Sequence, residues 1–333
     1  MQDPLLCPIG DRSQVGEARR RVVELAARVG LGEVPREKLA LLVNELGTNL
    51  VKHAGGGELI VRALPGRPAL EILALDKGGG MASVEESFRD GHSTSGSAGT
   101  GLGAVRRLAS FVDVYSSRPG GTAIVAHVAA PEASAPAARR WEVGAVCVPK
   151  SGEEVCGDGW AAADTADGYR LMMADGLGHG LGAAEAARAA VRCFERDPTL
   201  GPAAQVSAIH QALRGTRGAA VAVVSIDRRA GVAIFAGVGN IAGSIIANRG
   251  SRQLVSLNGT AGHTLHKITE FSYPWTDDAL LLVHTDGLVS RWDLDRYPGL
   301  VQRHPSLVAG VLFRDFNRGR DDVTVVAARG RAA

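Results

Sequence analysis

Four short motifs place acidic residues at the ends of apolar runs. In segment 171–180, LMMADGLGHG, the apolar run over 169–174 predicts a buried strand that stops at Asp175. Gly176, Gly178 and Gly180 follow, and residues 183–194 then read as a helix. A carboxylate therefore stands where a strand leaves its sheet, and the glycines allow backbone to approach whatever it holds. The design recurs where the apolar residues 280–283 lead to Asp286-Gly287. Asp158 lies in a similar frame, VCGDGW, and Asp321-Asp322 in RDDVTVVAA. Four acidic points beside apolar strands predict carboxylates gathered at one site. Like charges buried together repel, so such a cluster calls for cations, and an oxygen-only donor set favours Mg²⁺ or Mn²⁺. Asp-Gly also marks hairpin turns, the commoner meaning for Asp286 alone. Asp175 is followed by a helix instead, and the four acids together favour the metal site.

These pieces are Gly157-Asp158-Gly159, Ala174-Asp175-Gly176, Thr285-Asp286-Gly287 and Asp321-Asp322-Val323-Thr324. In that order they resemble the metal-dependent (PPM-type) serine/threonine phosphatases, in the compact bacterial form of the sporulation stage-two-E family, over residues 141–329. Each piece is weak alone, whereas the ordered set is specific. Cys156 departs from the Ser or Gly of many members. The resemblance implies two metal ions bridged by Asp175, the catalytic centre, with Asp158, Asp286, Asp321 and the Gly176 carbonyl completing the ligands. Asp322 is the alternative to Asp321.

A second constellation lies nearer the N-terminus. Glu45 and Asn49 are four apart on a helical stretch and share a face, with Lys52 and His53 one turn on. By itself such a pair is an ordinary solvated helix face. Downstream, Asp76-x-Gly78-x-Gly80 follows an apolar strand, which aims a carboxylate at a ligand amine. Gly99-Thr100-Gly101-Leu102-Gly103 opens a helix, whose free N–H groups and dipole suit phosphate. No strand immediately precedes it, so it is not a dinucleotide fingerprint, nor does it match the longer P-loop.

Together ELGTN, DKGGG and GTGLG resemble the nucleotide-binding boxes of the gyrase/Hsp90/histidine-kinase ATPase superfamily, over residues 12–129. The stretch GLGAVRRLASFVDVYSSRPGGTAIVAHV looks most like the anti-sigma-factor kinases, especially the switch kinases of bacterial stress signalling. The resemblance implies that Glu45 activates the attacking hydroxyl and that Asn49 holds Mg²⁺ on the ATP phosphates. It implies that Asp76 binds the adenine amine, with Gly78, Gly80, Thr100, Gly101, Leu102 and Gly103 around the nucleotide and residues 82–98 as a lid. No phosphoacceptor-histidine hairpin precedes this region, which counts against a histidine kinase.

The elements that must position these residues can be read along the chain. Helices are predicted over 12–30, from Pro35 to His53, over 104–110, 181–195, 203–213 and 305–316, and strands over 58–64, 69–75, 112–116 and 122–128. Residues 130–140, rich in Ala, Pro and Ser, read as a linker. The expectation is an α/β (α+β) protein of two domains: a Bergerat-type α/β sandwich over 1–129 and a PPM-type α-β-β-α sandwich over 141–333. With 45% hydrophobic residues and a net charge of +2 in 333 residues, nothing points to nucleic acid or an anionic membrane. No apolar run is long enough to span a bilayer, and no signal peptide is evident, so a cytoplasmic location is expected. Cys7, Cys147, Cys156 and Cys193 show no CxxC spacing and read as buried free thiols.

Among other candidates, His179 and Glu153-Glu154 flank the metal motifs, and Asn240 reads as a turn residue near the rim. His263-x-x-His266 lacks further ligands at zinc spacing. Lys52, His53, Arg106 and Arg107 read as solvated surface. The functional expectation is a bifunctional regulator of bacterial stress signalling. The N-terminal half phosphorylates, and the C-terminal half dephosphorylates, Ser/Thr of anti-sigma-antagonist-like (STAS) partners in a stress-signalling complex. The alternative is an N-terminal half that sequesters a sigma factor, with a phosphatase attached.

Overall fold

The computed structural model describes residues 4–87, 101–130, 140–165, 168–248, 250–265 and 267–331. Its contacts divide the chain into two compact units, Met1–Ala138 with Asp293–Arg314, and Arg139–Trp292 with Asp315–Ala333.

The first unit runs β1 (Leu5–Ile9), α1 (Arg12–Arg28), α2 (Glu33–Ala54), β2 (Gly57–Ala63), β3 (Ala69–Leu75), α3 (Val84–Ser87), α4 (Gly101–Leu108), β4 (Phe111–Ser117) and β5 (Gly121–Ala129). Helix α1 begins where Asp11 Oδ1 accepts the N–H groups of Ser13 and Gln14, at 2.7 and 3.0 Å. The Gln14 side chain accepts the Asp11 N–H in return, closing a capping box. Helix α2 ends at the left-handed Gly55. The strands form one antiparallel sheet in the order β1-β2-β3-β5-β4. β1 is not among the strands that the sequence predicts. It is short, contains Pro8, and pairs with β2 at the edge of the sheet.

β3 is buried at every position, so its sequence shows no alternation. Its register nevertheless separates two faces. Leu70, Ile72 and Ala74 join the core with Val22, Leu39 and Leu46 of α1 and α2. The opposite face meets α7 (Pro305–Phe316): Gly310 lies so close that a Cβ would come within 2.7 Å of Leu73. Ser306 Oγ donates to Glu71 Oε2 at 2.8 Å, Arg62 Nε donates to Oε1 at 2.6 Å, and His127 Nε2 lies 2.9 Å from Oε2. Burial alone raises the Glu71 pKa. The Arg62 guanidinium and His127 more than reverse this and hold the carboxyl well below the usual range. The His304 ring packs on His127 and Phe111. Glu71, His127 and His304 bring ligating atoms within 4.8 Å of one another. Both Glu71 oxygens are already engaged, so this is a closed polar network. Residues 293–314, expected within the C-terminal domain, thus line the first unit's sheet.

The second unit contains β6 (Trp141–Val148), β7 (Asp158–Thr165), β8 (Gly168–Gly176), α5 (Leu181–Arg196), α6 (Pro202–Ala212), β9 (Ala219–Asp227), β10 (Val232–Val238), β11 (Ala242–Ala247), β12 (Gly250–Leu254), β13 (Phe271–Pro274), β14 (Leu280–His284) and β15 (Val323–Gly330). Two five-stranded sheets, β13-β10-β9-β8-β7 and β12-β11-β14-β15-β6, share one core. Leu171, Met173, Ala222 and Val224 of one sheet pack with Leu281, Val283, Val326 and Ala328 of the other. The alternate residues Met172, Ala174, Val221 and Val223 face Ala186, Ala190 and Phe194 of α5 and Val206 and Ile209 of α6. β8 is thus apolar on both faces, as the unbroken run 169–174 anticipates. Cys7, Cys147 and Cys156 are buried free thiols; Cys193, expected with them, is only partly buried because it lies off the apolar stripe of α5.

Candidate nucleotide and metal sites

In the first unit, Asp76 follows the last residue of β3. Its N–H donates to the Thr122 carbonyl at 2.9 Å. Its Oδ1 accepts the N–H groups of Gly78 (2.8 Å) and Thr122 (3.1 Å), and Arg314 Nη1 donates to its carbonyl at 2.8 Å. One carboxylate oxygen is therefore committed to holding the loop. Oδ2 makes no hydrogen bond among the described residues, and is left for a donor such as an exocyclic amine. Gly78 lies on the last turn of α2, where a Cβ would come within 2.8 Å of Ala54, and Gly80 adopts φ 69° against the Ser117 carbonyl. This contact ties the Asp76 loop to the helix that carries Glu45 and Asn49, both half-buried. Helix α4 packs on α2, with Gly101, Leu102 and Gly103 in its first turn. Leu102 turns its side chain onto the core, leaving only its backbone to a ligand. Thr100, Gly99 and residues 88–98 of the expected lid lie outside the described residues. Lys52, His53, Arg106 and Arg107 are exposed, as expected. Thr122, whose main chain fixes Asp76, is not singled out by sequence; only its place on the paired strand β5 reveals it.

In the second unit, Asp158 and Asp175 lie directly opposite each other in the β7–β8 ladder. The adjacent Gly176 N–H donates to the Gly157 carbonyl at 3.1 Å. The two aspartates thus form a non-hydrogen-bonded pair, whose side chains project to one face about 4.5–5.5 Å apart at Cβ. Burial raises the Asp158 pKa well above its ordinary value, and the facing Asp175 adds to it. Asp175 is pushed up to about 7, first by burial and then by Asp286, Asp321 and Asp322. Thr285 Oγ1 donates to Asp158 Oδ2 at 2.8 Å and accepts the Thr324 N–H at 2.9 Å, tying β7 to the other sheet. Asn240 Nδ2 donates to Asp286 Oδ2 at 2.7 Å. Asn240 is therefore a partner of a site carboxylate, beyond the turn role that its sequence context suggests.

Asp321 and Asp322 part company. Asp321 lines a cavity of about 310 Å³ with Asp286, Arg318 and Arg320. Asp322 is buried, and its Oδ1 accepts the Lys150 N–H at 2.9 Å. The motif glycines make room for it: a Cβ on Gly287 would lie 2.0 Å from the Asp322 carbonyl oxygen, and one on Gly157 2.5 Å from its Oδ2. Among the described residues, no three of these acids bring ligand oxygens within 4.8 Å of one another. The all-oxygen donor set and the mutual repulsion of its members fit hard divalent cations. His179 Nδ1 pairs with Glu153 Oε1 at 2.5 Å on the exposed rim. His263 pairs with the Arg217 carbonyl, while His266 lies outside the described residues.

The profile of the stage II sporulation protein E (SpoIIE) family matches residues 165–331, half of the chain. The chain belongs to the SpoIIE family. The matched stretch contains Asp175, Gly176, Asp286 and Asp321, and begins shortly after Asp158. It also contains α7, which groups with the first unit up to Arg314. Residues 10–128 match a histidine kinase-like ATPase domain. The serine/threonine-protein kinase RsbT of Bacillus subtilis (strain 168) is 32% identical over 111 residues, 33% of this chain and 84% of that protein. A solved chain from the bacterial stressosome, described as a modular system adapted to control secondary messenger signaling, is 29% identical. It covers 57% of this chain and 99% of its own length, with a TM-score of 0.54. RsbX in complex with magnesium shares the fold, at 19% identity, 58% of this chain, 96% of that chain and a TM-score of 0.51. The SpoIIE-family chain thus joins an RsbT-like serine/threonine kinase domain to a PP2C-type, metal-dependent protein phosphatase domain. Among the described residues no helix is long and apolar enough to cross a membrane.

Proposed function

We propose that the two domains act in opposite directions on Ser/Thr of anti-sigma-antagonist-like (STAS) partners of a stress-signalling complex. The observation that carries the phosphatase half is the facing pair Asp158 and Asp175, both pushed toward the neutral form by burial and repulsion. Folding two acids together in this way is costly unless cations neutralise them. Asp158, Asp175, Asp286, Asp321 and the Gly176 carbonyl would hold Mg²⁺ or Mn²⁺. Such ions supply Lewis acidity toward phosphoryl oxygens and a nucleophile at neutral pH. The chain's own residues keep the ligands in place: Thr285 orients Asp158 and Asn240 orients Asp286.

In the kinase half, Asp76 receives the adenine amine on its uncommitted oxygen. Asn49 would hold Mg²⁺, which would supply charge neutralisation to the ATP phosphates, and Glu45 would accept the proton of the attacking hydroxyl. Backbone N–H groups at the start of α4 face the phosphates. The partner class is supported by the likeness to RsbT and to a stressosome chain. The test is full-length protein incubated with ATP and a panel of STAS domains, with phosphate gain and loss read by mass. Wild type should release ADP and phosphate steadily with little net phosphoprotein. Asp175→Asn should let phosphoprotein accumulate, and Glu45→Ala should leave only dephosphorylation. If Asp175→Asn changed the phosphorylation of no partner, the opposed-enzyme reading would fail.

A further inference from the structure

Resting on the phosphatase reading above, we propose that Arg318 and Arg320 form the subsite that receives the phosphoryl dianion of the substrate. The two arginines line the same cavity as Asp286 and Asp321. Their backbone is anchored. Phe316 accepts the Val289 N–H at 2.9 Å, Asn317 bridges Leu288, and the Arg318 N–H donates to the Gly287 carbonyl at 2.9 Å. Gly319 then turns through a left-handed φ of 66°, its N–H donating to Asn317 Oδ1 at 2.8 Å. The sequence Arg-Gly-Arg-Asp is thereby bent beside the Asp286-Gly287 segment, with a cation on each side of the turn.

What these guanidinium groups do not do is informative. Elsewhere arginines near carboxylates pair with them: Arg62 with Glu71, Arg228 with Asp277 through two nitrogens, and Arg303 with Asp113. Arg318 and Arg320 make no ion pair or side-chain hydrogen bond among the described residues, although two aspartates share their cavity. Those aspartates are engaged otherwise. Asp286 takes the Asn240 amide, and Asp321 Oδ1 accepts the Asp322 N–H at 2.9 Å. Carboxylates committed to divalent cations are poor partners for arginine. The arginines are then free for a second anion in the same cavity, and a phosphomonoester dianion offers oxygens that match the guanidinium fork. Both cations are exposed, so the subsite is open to a phosphomonoester carried on the surface of a larger partner.

The experiment uses full-length protein with Mn²⁺, comparing wild type with Arg318→Ala, Arg320→Ala, the double alanine variant and the double lysine variant. Initial rates are measured with 4-nitrophenyl phosphate and a phosphoserine peptide. Inorganic phosphate is titrated calorimetrically into the Mn²⁺-loaded protein, and Mn²⁺ into the metal-free protein. The double alanine variant should raise KM and the Kd for inorganic phosphate about tenfold or more, with a smaller change in kcat. Mn²⁺ affinity and melting temperature should stay at wild-type values. Lysines should restore part of the phosphate affinity, keeping the charge but not the fork. Unchanged KM and phosphate Kd in the double alanine variant would overturn the proposal, as would a loss confined to Mn²⁺ affinity. A wild-type protein inactive with Mn²⁺ is a different result, and would remove the phosphatase reading itself.

Discussion

Replacing Asp175 by Asn should abolish phosphatase activity and at the same time stabilise the metal-free protein. Asp175 is raised from an ordinary 3.8 to about 7 by burial and by Asp286, Asp321 and Asp322. A carboxyl lifted by about 3 pH units corresponds to on the order of 4 kcal/mol in favour of its neutral form. Because the folded pKa lies above the unfolded one, this contribution to stability is fully present below pH 3.8 and disappears as pH rises through 7. At a pH of about 8 the metal-free protein therefore bears the whole cost of the ionised cluster. Asn keeps the shape and removes the charge. The neighbouring acids relax only in part, so an increase of a few kcal/mol at most is expected, or several degrees in melting temperature. Added Mn²⁺ should raise the wild-type melting temperature by mass action and leave the variant nearly unmoved. The assay is thermal unfolding at a pH of about 6 and about 8, with and without Mn²⁺, beside hydrolysis of 4-nitrophenyl phosphate. The stabilisation should be larger at the higher pH. A variant that melts below wild type at the higher pH without metal, or that keeps Mn²⁺-dependent hydrolysis, would refute this reasoning.

Two further outcomes are expected. Asp76→Asn should weaken ATP binding about 10- to 100-fold, because the amide oxygen must still accept from Gly78 and Thr122 and the uncommitted position then carries an NH2, a donor facing the donor amine; calorimetry with unchanged affinity would contradict the adenine role. Glu71→Gln should destabilise the first unit by about 3–5 kcal/mol at neutral pH by leaving Arg62 buried without its counter-ion. Since the Glu71 pKa is depressed on folding, its contribution is fully present above the ordinary 4.5 and is lost progressively as pH falls from there toward the strongly depressed folded value. The gap between the melting temperatures of wild type and variant should thus narrow from neutral pH down to about 3, and a gap that stays constant would count against the Arg62–Glu71 account.

Local patterns carried much of this protein in one dimension. The run ending at Asp175 is apolar because β8 is covered on both faces, by the opposing sheet and by α5 and α6. A strand followed by Asp-Gly and a helix is therefore visible in the chain itself, and so are Asp76 after β3 and the glycines that let backbone pass close to Ala54 and Asp322. Such features persist in sequence because each depends on a residue's immediate neighbours. Contacts between distant segments leave no such trace. Nothing near Asn240 announces its bond to Asp286, nothing near Thr122 its grip on Asp76, and Arg318 and Arg320 look like ordinary surface charges until the loop folds beside Gly287. The apolar run of α7, buried from Pro305 to Arg314, is long enough to mark a helix, but does not say which sheet it lies on. Tertiary packing decided that, seating Gly310 on Leu73 and Leu75 and bringing the Ser306 hydroxyl to the buried Glu71 carboxylate, which Arg62 and His127 of the neighbouring strands already engage.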